Sequence, residues 1–346
     1  MSVESENSIP TIAVFSGADA NWNWYADDCR GRARWIFYTE EPKNFIERAI
    51  QRPRLSRIFG AFRCVLAAKR QSAVAIAAIS QFSTFWTVFA MRLLRVRKPL
   101  LSFSFHFAKL PTGLRLRLSK WAFSHVERFG VHSTPERERY AKHFGVPVER
   151  FDLTLWGVRP SSVQSEEAPA PLDSRYICAL GKDGRDYRTL TEAMKQLPEM
   201  TLILVAQPYN LVGCEIPQNV KVYCDIPRGE ALNILKHSQF MALPLESNEA
   251  SCGHITLVSA MFCHKAIVAT GSTGIADYFP PDYGAPRVAA GDVDGWVRTL
   301  REMAKDPDQL ERSATVGERF GLLNCSHDAA FRSTMDVFRK AGIRII

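Results

Sequence analysis

Between Arg48 and Val126 this 346-residue chain has no Asp or Glu at all, against 15 Lys and Arg. The imbalance extends across the first half. Residues 1–160 hold 25 Lys+Arg and 13 Asp+Glu, whereas residues 161–346 hold 19 and 23. A field of one sign attracts phosphates, anionic lipid headgroups or nucleic acid, or else is a solvated basic face. No nucleic-acid recognition motif or aromatic-interleaved RNA platform accompanies it, so nucleic acid is not the expected partner. Paired cysteines are also missing. The eight cysteines (29, 64, 178, 214, 224, 252, 263 and 325) fall at irregular spacings with no CxxC. That excludes a disulfide framework and leaves no zinc-ligand spacing; the thiols read as reduced, in a reducing compartment. No long apolar run survives inspection either. Residues 71–91 are uncharged, but Ser80, Gln81, Ser83 and Thr84 interrupt them. They read as a buried strand, a loop and a helix, not as a membrane span. The opening "MSVESENSIP" lacks the basic and apolar regions of a leader peptide, so a cytoplasmic protein is expected.

What is present is an alternation of strands and helices, repeated twice. Short apolar runs at 11–16, 34–39, 73–79, 98–106 and 128–133 are separated by helical patterns at 42–70, 84–95, 113–125 and 135–144. "TPERERYAKHFGVP" is a helix with its punctuation in place: Thr134 caps it, Pro135 opens it and Gly145 stops it. A Pro-, Ser- and Glu-rich segment, 159–174, has no apolar period and reads as a linker. The alternation then restarts, with strands at 175–180, 200–206, 220–227, 239–245 and 266–270, and the end, 292–342, is mostly helical. Strands joined through helices imply parallel sheets. The expected architecture is α/β, two Rossmann-like domains facing an interdomain cleft. Their boundaries are 1–160, a linker at 161–174, 175–325, and a C-terminal helix over 326–346 that packs back on the first domain.

Two loops of the second half carry anion chemistry. "GKDGRDYRT" follows the strand 175–180. Gly181 and Gly184 permit close backbone approach, and Lys182 and Arg185 place two cations before a helix N-terminus. Together these suit a diphosphate; a surface loop with solvated charges is the alternative. "PLESNEASCGHIT" follows the strand 239–245, with Glu249, Ser251, Cys252, Gly253, His254, Ile255 and Thr256 around the start of a helix. These groups could bind phosphate or sugar hydroxyls, or simply cap the helix. In the first half, Gly17 follows the first strand. His106 stands at the end of "LLSFSFH", where it could hydrogen-bond a hydroxyl, transfer a proton, or be structural.

In order and spacing these segments resemble a GT-B glycosyltransferase, and among those glycosyltransferase family 4, over roughly residues 10–340. "HSTPERERYAKHFGVPVERFDLTLWGV" resembles the segment joining the family's domains. "GKDGRDYRTLTEAM" resembles its donor-phosphate loop, matching Lys182 and Arg185 to the usual Lys and Arg. "NVKVYCDIPRGEALNILKHSQFMALPL" resembles the run that passes the nucleotide base, which implies Tyr223 and Ile226 beside it. "GHITLVSAMFCHKAIVATGSTGIADY" resembles the donor-sugar segment. The family's two glutamates, which face the donor sugar and the ribose, fall at Ser251 and Ser259. Serine can hydrogen-bond a hydroxyl there without a charge, and Glu246 and Glu249 lie in the same loop.

The resemblance implies transfer of a sugar from a UDP- or GDP-sugar donor, with retention of configuration and without cofactor or metal. Lys182 and Arg185 would stabilise the leaving diphosphate and His106 would lie over the sugar. The acid-free basic stretch 48–126 points to an acceptor that is lipid-linked or a growing polysaccharide. The acid-free stretch, with "RLLRVRK" and "LRLRLSKW", would dock on an anionic membrane surface at its cytoplasmic face. A non-catalytic sugar-nucleotide-binding partner subunit is the alternative that the two serines allow.

Overall fold

A computed structural model describes residues 9–16, 32–49, 55–107, 109–163, 168–249 and 251–345. The chain divides into two compact units. One comprises residues 1–154 and returns at 331–346; the other comprises 155–330.

The first unit is built on one parallel sheet. Its strands are β1 (Thr11–Ser16), β2 (Arg34–Thr39), β3 (Ala75–Ile79), β4 (Leu100–Phe103), β5 (Arg128–Val131) and β6 (Phe151–Leu153), in the order β2-β1-β3-β4-β5-β6. The helices between them are α1 (Phe45–Ala49), α2 (Leu55–Arg70), α3 (Gln81–Leu93), α4 (Gly113–Phe123) and α5 (Thr134–Phe144). The central strands are mostly apolar because both faces are covered. Side chains alternate between two cores at a period of two. Ala13, Phe15, Ile76, Ala78 and Leu100 point to one core; Ile12, Val14, Ala75, Ala77, Leu101 and Phe103 point to the other. The second face is closed by Val337, Phe338 and Ile343 from the returning chain, with Phe338 packed on Trp35 and Phe103.

The second unit repeats the plan. Its strands are β7 (Ile177–Leu180), β8 (Leu202–Ala206), β9 (Val220–Cys224), β10 (Met241–Leu243), β11 (Ile267–Thr270) and β12 (Arg287–Val288), in the order β12-β11-β10-β7-β8-β9. Its helices are α6 (Tyr187–Lys195), α7 (Arg228–His237), α8 (His254–Phe262), α9 (Val293–Lys305) and α10 (Pro307–Asn324). A last helix, α11 (His327–Lys340), carries the chain back to the first unit.

Several elements differ from their sequence reading, each for a local reason. The helix expected over 42–70 is α1 and α2, with 50–54 outside the described residues. The strand expected over 98–106 ends at Phe103: Ser104 turns the backbone with φ 48°, and Phe105 is driven into an aromatic cluster with Phe123, Phe129 and Phe144. His106 therefore stands in a loop, not on the strand. The strand expected over 239–245 ends before Pro244, which has no amide hydrogen for a ladder. In the expected linker, residues 160–162 form a short 3₁₀ turn and Val163 is fully buried. The strands β6 and β12 are three and two residues long, too short to show an alternation. No helix among the described residues is long and apolar enough to cross a membrane, and all seven described cysteines are free thiols.

The helices α8 and α10 are tied by His264, which follows α8. Its Nδ1 lies 2.7 Å from Glu318 and its Nε2 2.9 Å from Glu311. The hydrogen bond to Glu311 raises its pKa most, burial opposes, and Glu318 adds to the rise. A raised folded-state pKa contributes stability that is complete below the unfolded value, about 6.5, and fades as the pH rises through the folded value. The Tm gap between wild type and His264→Ala is thus expected to be widest in mild acid and to close above neutrality. A gap that does not change with pH would mean that the pair contributes no charge term. The side chains are partly exposed, so added salt should narrow it.

Candidate functional site

In the sheet of the second unit the chain reverses direction of travel between β7 and β10. From β7 it steps outward to β8 and β9, and from β10 to β11 and β12. Open α/β sheets bind ligands beyond the carboxyl ends of strands at such a point. The loops that follow these two strands meet there. An antiparallel bridge joins Arg185 to Leu245. The Asp186 amide donates to the Pro244 carbonyl, and the Glu246 amide to the Gly184 carbonyl, both at 3.2 Å. Asp186 caps α6 through the Thr189 amide at 3.0 Å.

Arg185 is the hub of this junction, and it is only 6% exposed. Its Nε donates to the Leu180 carbonyl at 3.1 Å, one terminal nitrogen to the Asp183 carbonyl at 2.8 Å, and the other to Thr256 Oγ1 at 3.3 Å in the first turn of α8. Cys252 Sγ is 4.0 Å away. Burial raises the Cys252 thiol pKa and the Arg185 charge opposes that rise. Among the described residues the oxygens that accept from the guanidinium are main-chain carbonyls and a hydroxyl; none is a carboxylate. Such a buried cation makes no ion pair among the described residues, and it stands at a helix N-terminus that adds partial positive charge of its own. Glycine is required where the loops press together. At Gly184, with φ +63°, a Cβ would sit 2.5 Å from Cys252 Sγ; at Gly253, the N-cap of α8, φ is +88°.

The structure thus gathers Gly181, Gly184, Arg185, Cys252, Gly253 and Thr256. Lys182 is exposed on the same loop, its carbonyl held by Asn210 Nδ2 at 2.6 Å. Ser251 is half-buried, and its Oγ is sealed from solvent without a hydrogen-bond partner. Glu249 and Ile255 are exposed. His254 is turned inward by its side-chain contacts. It is 7% exposed, its Nε2 lies 3.1 Å from the Gly274 carbonyl, and its ring packs on Tyr278. Ser259 is buried within α8, at 4% exposure. Tyr223 and Ile226 stand at the carboxyl end of β9, with β8 between that strand and β7. Gly17 lies outside the described residues.

In the first unit His106 belongs to a separate polar cluster. Its Nδ1 is 2.9 Å from Oε1 of Glu136, which also accepts from Tyr140 Oη at 2.9 Å, while Oε2 accepts from the His132 amide at 3.1 Å. Burial opposes ionisation of Glu136, but the His106 hydrogen bond and charge, with His132 and Tyr140, hold its pKa down at about 2. Burial lowers the His132 pKa, and the Thr154 carbonyl engages its Nδ1 at 2.8 Å. The partners Glu136, Tyr140 and Asn210 escape sequence reasoning. Glu136 is 30 residues from His106 and Asn210 is 28 from Lys182, so no local spacing pairs them.

No protein-family model matches this chain, nor does any curated protein sequence. Its backbone does match solved structures over nearly its full length. A glycosyltransferase from Rickettsia africae superposes with a TM-score of 0.73 at 9% identity, covering 96% of this chain and 99% of that one. HepE from Anabaena, in complex with UDP and glucose, superposes with a TM-score of 0.72 at 12% identity, covering 96% and 100%. Sucrose-phosphate synthase from Thermosynechococcus elongatus gives 0.71 at 14% identity, covering 96% and 98%. The chain has the GT-B fold. Within the GT-B fold, the Arg185 junction lies in the carboxyl-terminal unit and the His106 cluster in the amino-terminal one.

Proposed function

We propose that the protein is a glycosyltransferase that takes a sugar from a nucleotide-activated donor, with the donor diphosphate on Lys182 and Arg185. The observation that carries this is the buried Arg185 guanidinium, held by neutral acceptors between two loops and a helix N-terminus. A diphosphate would supply the missing negative charge, and fixed cations would stabilise the charge that grows on it as the glycosidic bond breaks. HepE, solved with UDP-glucose, and the synthases of sucrose phosphate and trehalose phosphate that share the fold support the reading. On it, Ser251, Cys252, Gly253, Thr256 and Ser259 line the donor, Tyr223 and Ile226 flank the base, and His106 contacts the sugar. Transfer with retention follows from the family resemblance.

Ligand-induced thermal stabilisation tests it, with UDP, GDP, ADP and their sugars. A donor at about 100 times its Kd stabilises by about 2.7 kcal/mol. The reading fails if a well-folded protein responds to none of them. Binding without turnover on any acceptor would point instead to a non-catalytic partner subunit.

The acceptor on this reading is lipid-linked or a polysaccharide, reached from an anionic membrane surface. Support comes from α3 and α4, two helices of the acid-free stretch that expose both apolar and basic side chains. Leu114, Leu118 and Trp121 recur on α4 at helical spacing and are 70%, 46% and 40% exposed, beside exposed Arg115, Arg117 and Lys120. Phe82 and Leu93 on α3 are 51% and 65% exposed. Such a surface binds through buried apolar area plus attraction to anionic headgroups. Cosedimentation with phosphatidylserine vesicles at low salt is expected. It should be weakened at least tenfold in Leu114→Ser/Leu118→Ser and reduced by salt. Wild-type protein that ignores such vesicles would overturn the docking surface.

A further inference from the structure

The His106 cluster contains a group that the proposed function does not use. Glu136 sits in the first turn of α5, 4% exposed, with each of its oxygens engaged. A carboxylate accepts hydrogen bonds and cannot donate them. The Nδ1 of a neutral His106, 2.9 Å from Oε1, must therefore carry its proton. That leaves a lone pair on Nε2, which makes no hydrogen bond among the described residues, on a side chain 37% exposed. The rest of the cluster keeps Glu136 in place. Tyr140 donates to Oε1 and also accepts from the Phe107 amide at 3.0 Å, so the loop bearing His106 and the helix bearing Glu136 share one tether. The His132 amide fixes the second oxygen. A carboxylate serving three donors, from the residue after β5, from α5 and from the 104–107 loop, is a rigid reference for the imidazole.

We infer that Glu136 is a positioning residue: it locks His106 in the Nδ1–H tautomer, so that Nε2 accepts a hydrogen bond from a hydroxyl of the bound sugar or acceptor. This rests on the proposed glycosyltransferase reading for the identity of the hydroxyl, but not for the tautomer. The role resembles in kind the fixing of an imidazole by a buried carboxylate wherever a histidine must accept at Nε2. It makes the His106 contact directional. Without the carboxylate the ring is free to take the Nε2–H form, which presents a donor where an acceptor is needed.

The test is the tautomer itself, read from the ¹⁵N shifts and long-range ¹H–¹⁵N couplings of His106 in unliganded protein at alkaline pH. The Nδ1–H pattern is expected in wild type. In Glu136→Gln and Glu136→Leu the Nε2–H form should appear, with thermal melts verifying that each variant is folded. Turnover on the donor identified by stabilisation should fall roughly ten- to a hundredfold in kcat, with the donor KM little changed. Wild-type protein in the Nε2–H form would overturn the inference. So would Glu136→Leu retaining both the Nδ1–H form and wild-type kcat. If no nucleotide sugar binds at all, the functional reading fails while the tautomer result still decides the role of Glu136.

Discussion

Arg185→Ala is expected to abolish nucleotide-dependent stabilisation and to lower the Tm of the unliganded protein as well, whereas Lys182→Ala should do only the first. The two cations share one loop but not one environment. Lys182 is exposed, and its removal leaves the surrounding hydrogen bonds intact. Arg185 is the common donor to Leu180, Asp183 and Thr256, three acceptors that lie on both sides of the junction. Hydrogen bonds from a charged group contribute about 1.5–3 kcal/mol each before losses elsewhere offset them. Truncation also strands the buried Leu180 carbonyl. The fork is geometric, so Arg185→Lys should rescue little: one ammonium cannot span acceptors arranged for a planar guanidinium. Differential scanning fluorimetry with and without the responding nucleotide separates the two effects. Arg185→Ala that melts like wild type and still responds would remove both the structural role and the proposed diphosphate site.

Phe338→Ala is expected to destabilise the first unit by about 3–5 kcal/mol, the usual range for emptying a large aromatic site in a core. Phe338 is 1% exposed on α11 and is stacked on Phe103, with ring centroids 5.7 Å apart, and edge-on to Trp35 at 5.8 Å. The sheet beneath it offers Ala75 and Ala77, side chains too small to collapse into the gap. Urea unfolding followed by tryptophan fluorescence measures it, since Trp35 borders the cavity. A second anchor of the same segment is polar: Lys340 Nζ is 2.7 Å from Asp152, which Arg128 also grips. Burial opposes ionisation of Asp152, but these two cations hold its pKa below the usual value. A change under 1 kcal/mol for Phe338→Ala would mean that α11 only rests on the sheet.

Much of the fold is legible in the residue order because it is periodic. The strands 11–16 and 34–39 coincide with their apolar runs, and α5 stops at its glycine, although its N-cap is Ser133 and not Thr134, which is already helical. The pairing of the loops after β7 and β10 is legible as well, since both carry glycines and polar groups at strand ends. What stays hidden is long-range and individual. Nothing near Arg185 in sequence says that its guanidinium turns back onto a carbonyl five residues earlier and a threonine 71 residues later. Nor does the start of a helix at His254 say that its imidazole meets the Gly274 carbonyl, 20 residues on. Glu136 reads as a helix-start acid, with its partner 30 residues behind it. Side-chain direction is decided by packing, and packing joins positions that sequence windows never place together.

The first unit begins with the amino-terminal half of the chain, but the face of its sheet formed by Ile12, Val14, Leu101 and Phe103 is closed by residues 337–343. During synthesis, that half leaves the ribosome with one apolar surface uncovered while the whole of the second unit is still being made. The second unit, contiguous from 155 to 330, has its residues complete first. The order of birth and the order of completion are therefore reversed. The nascent amino-terminal half keeps that apolar face open until residues 337–343 emerge, and a chain cut before Val337 is left with an aggregation-prone surface rather than a slightly shorter protein.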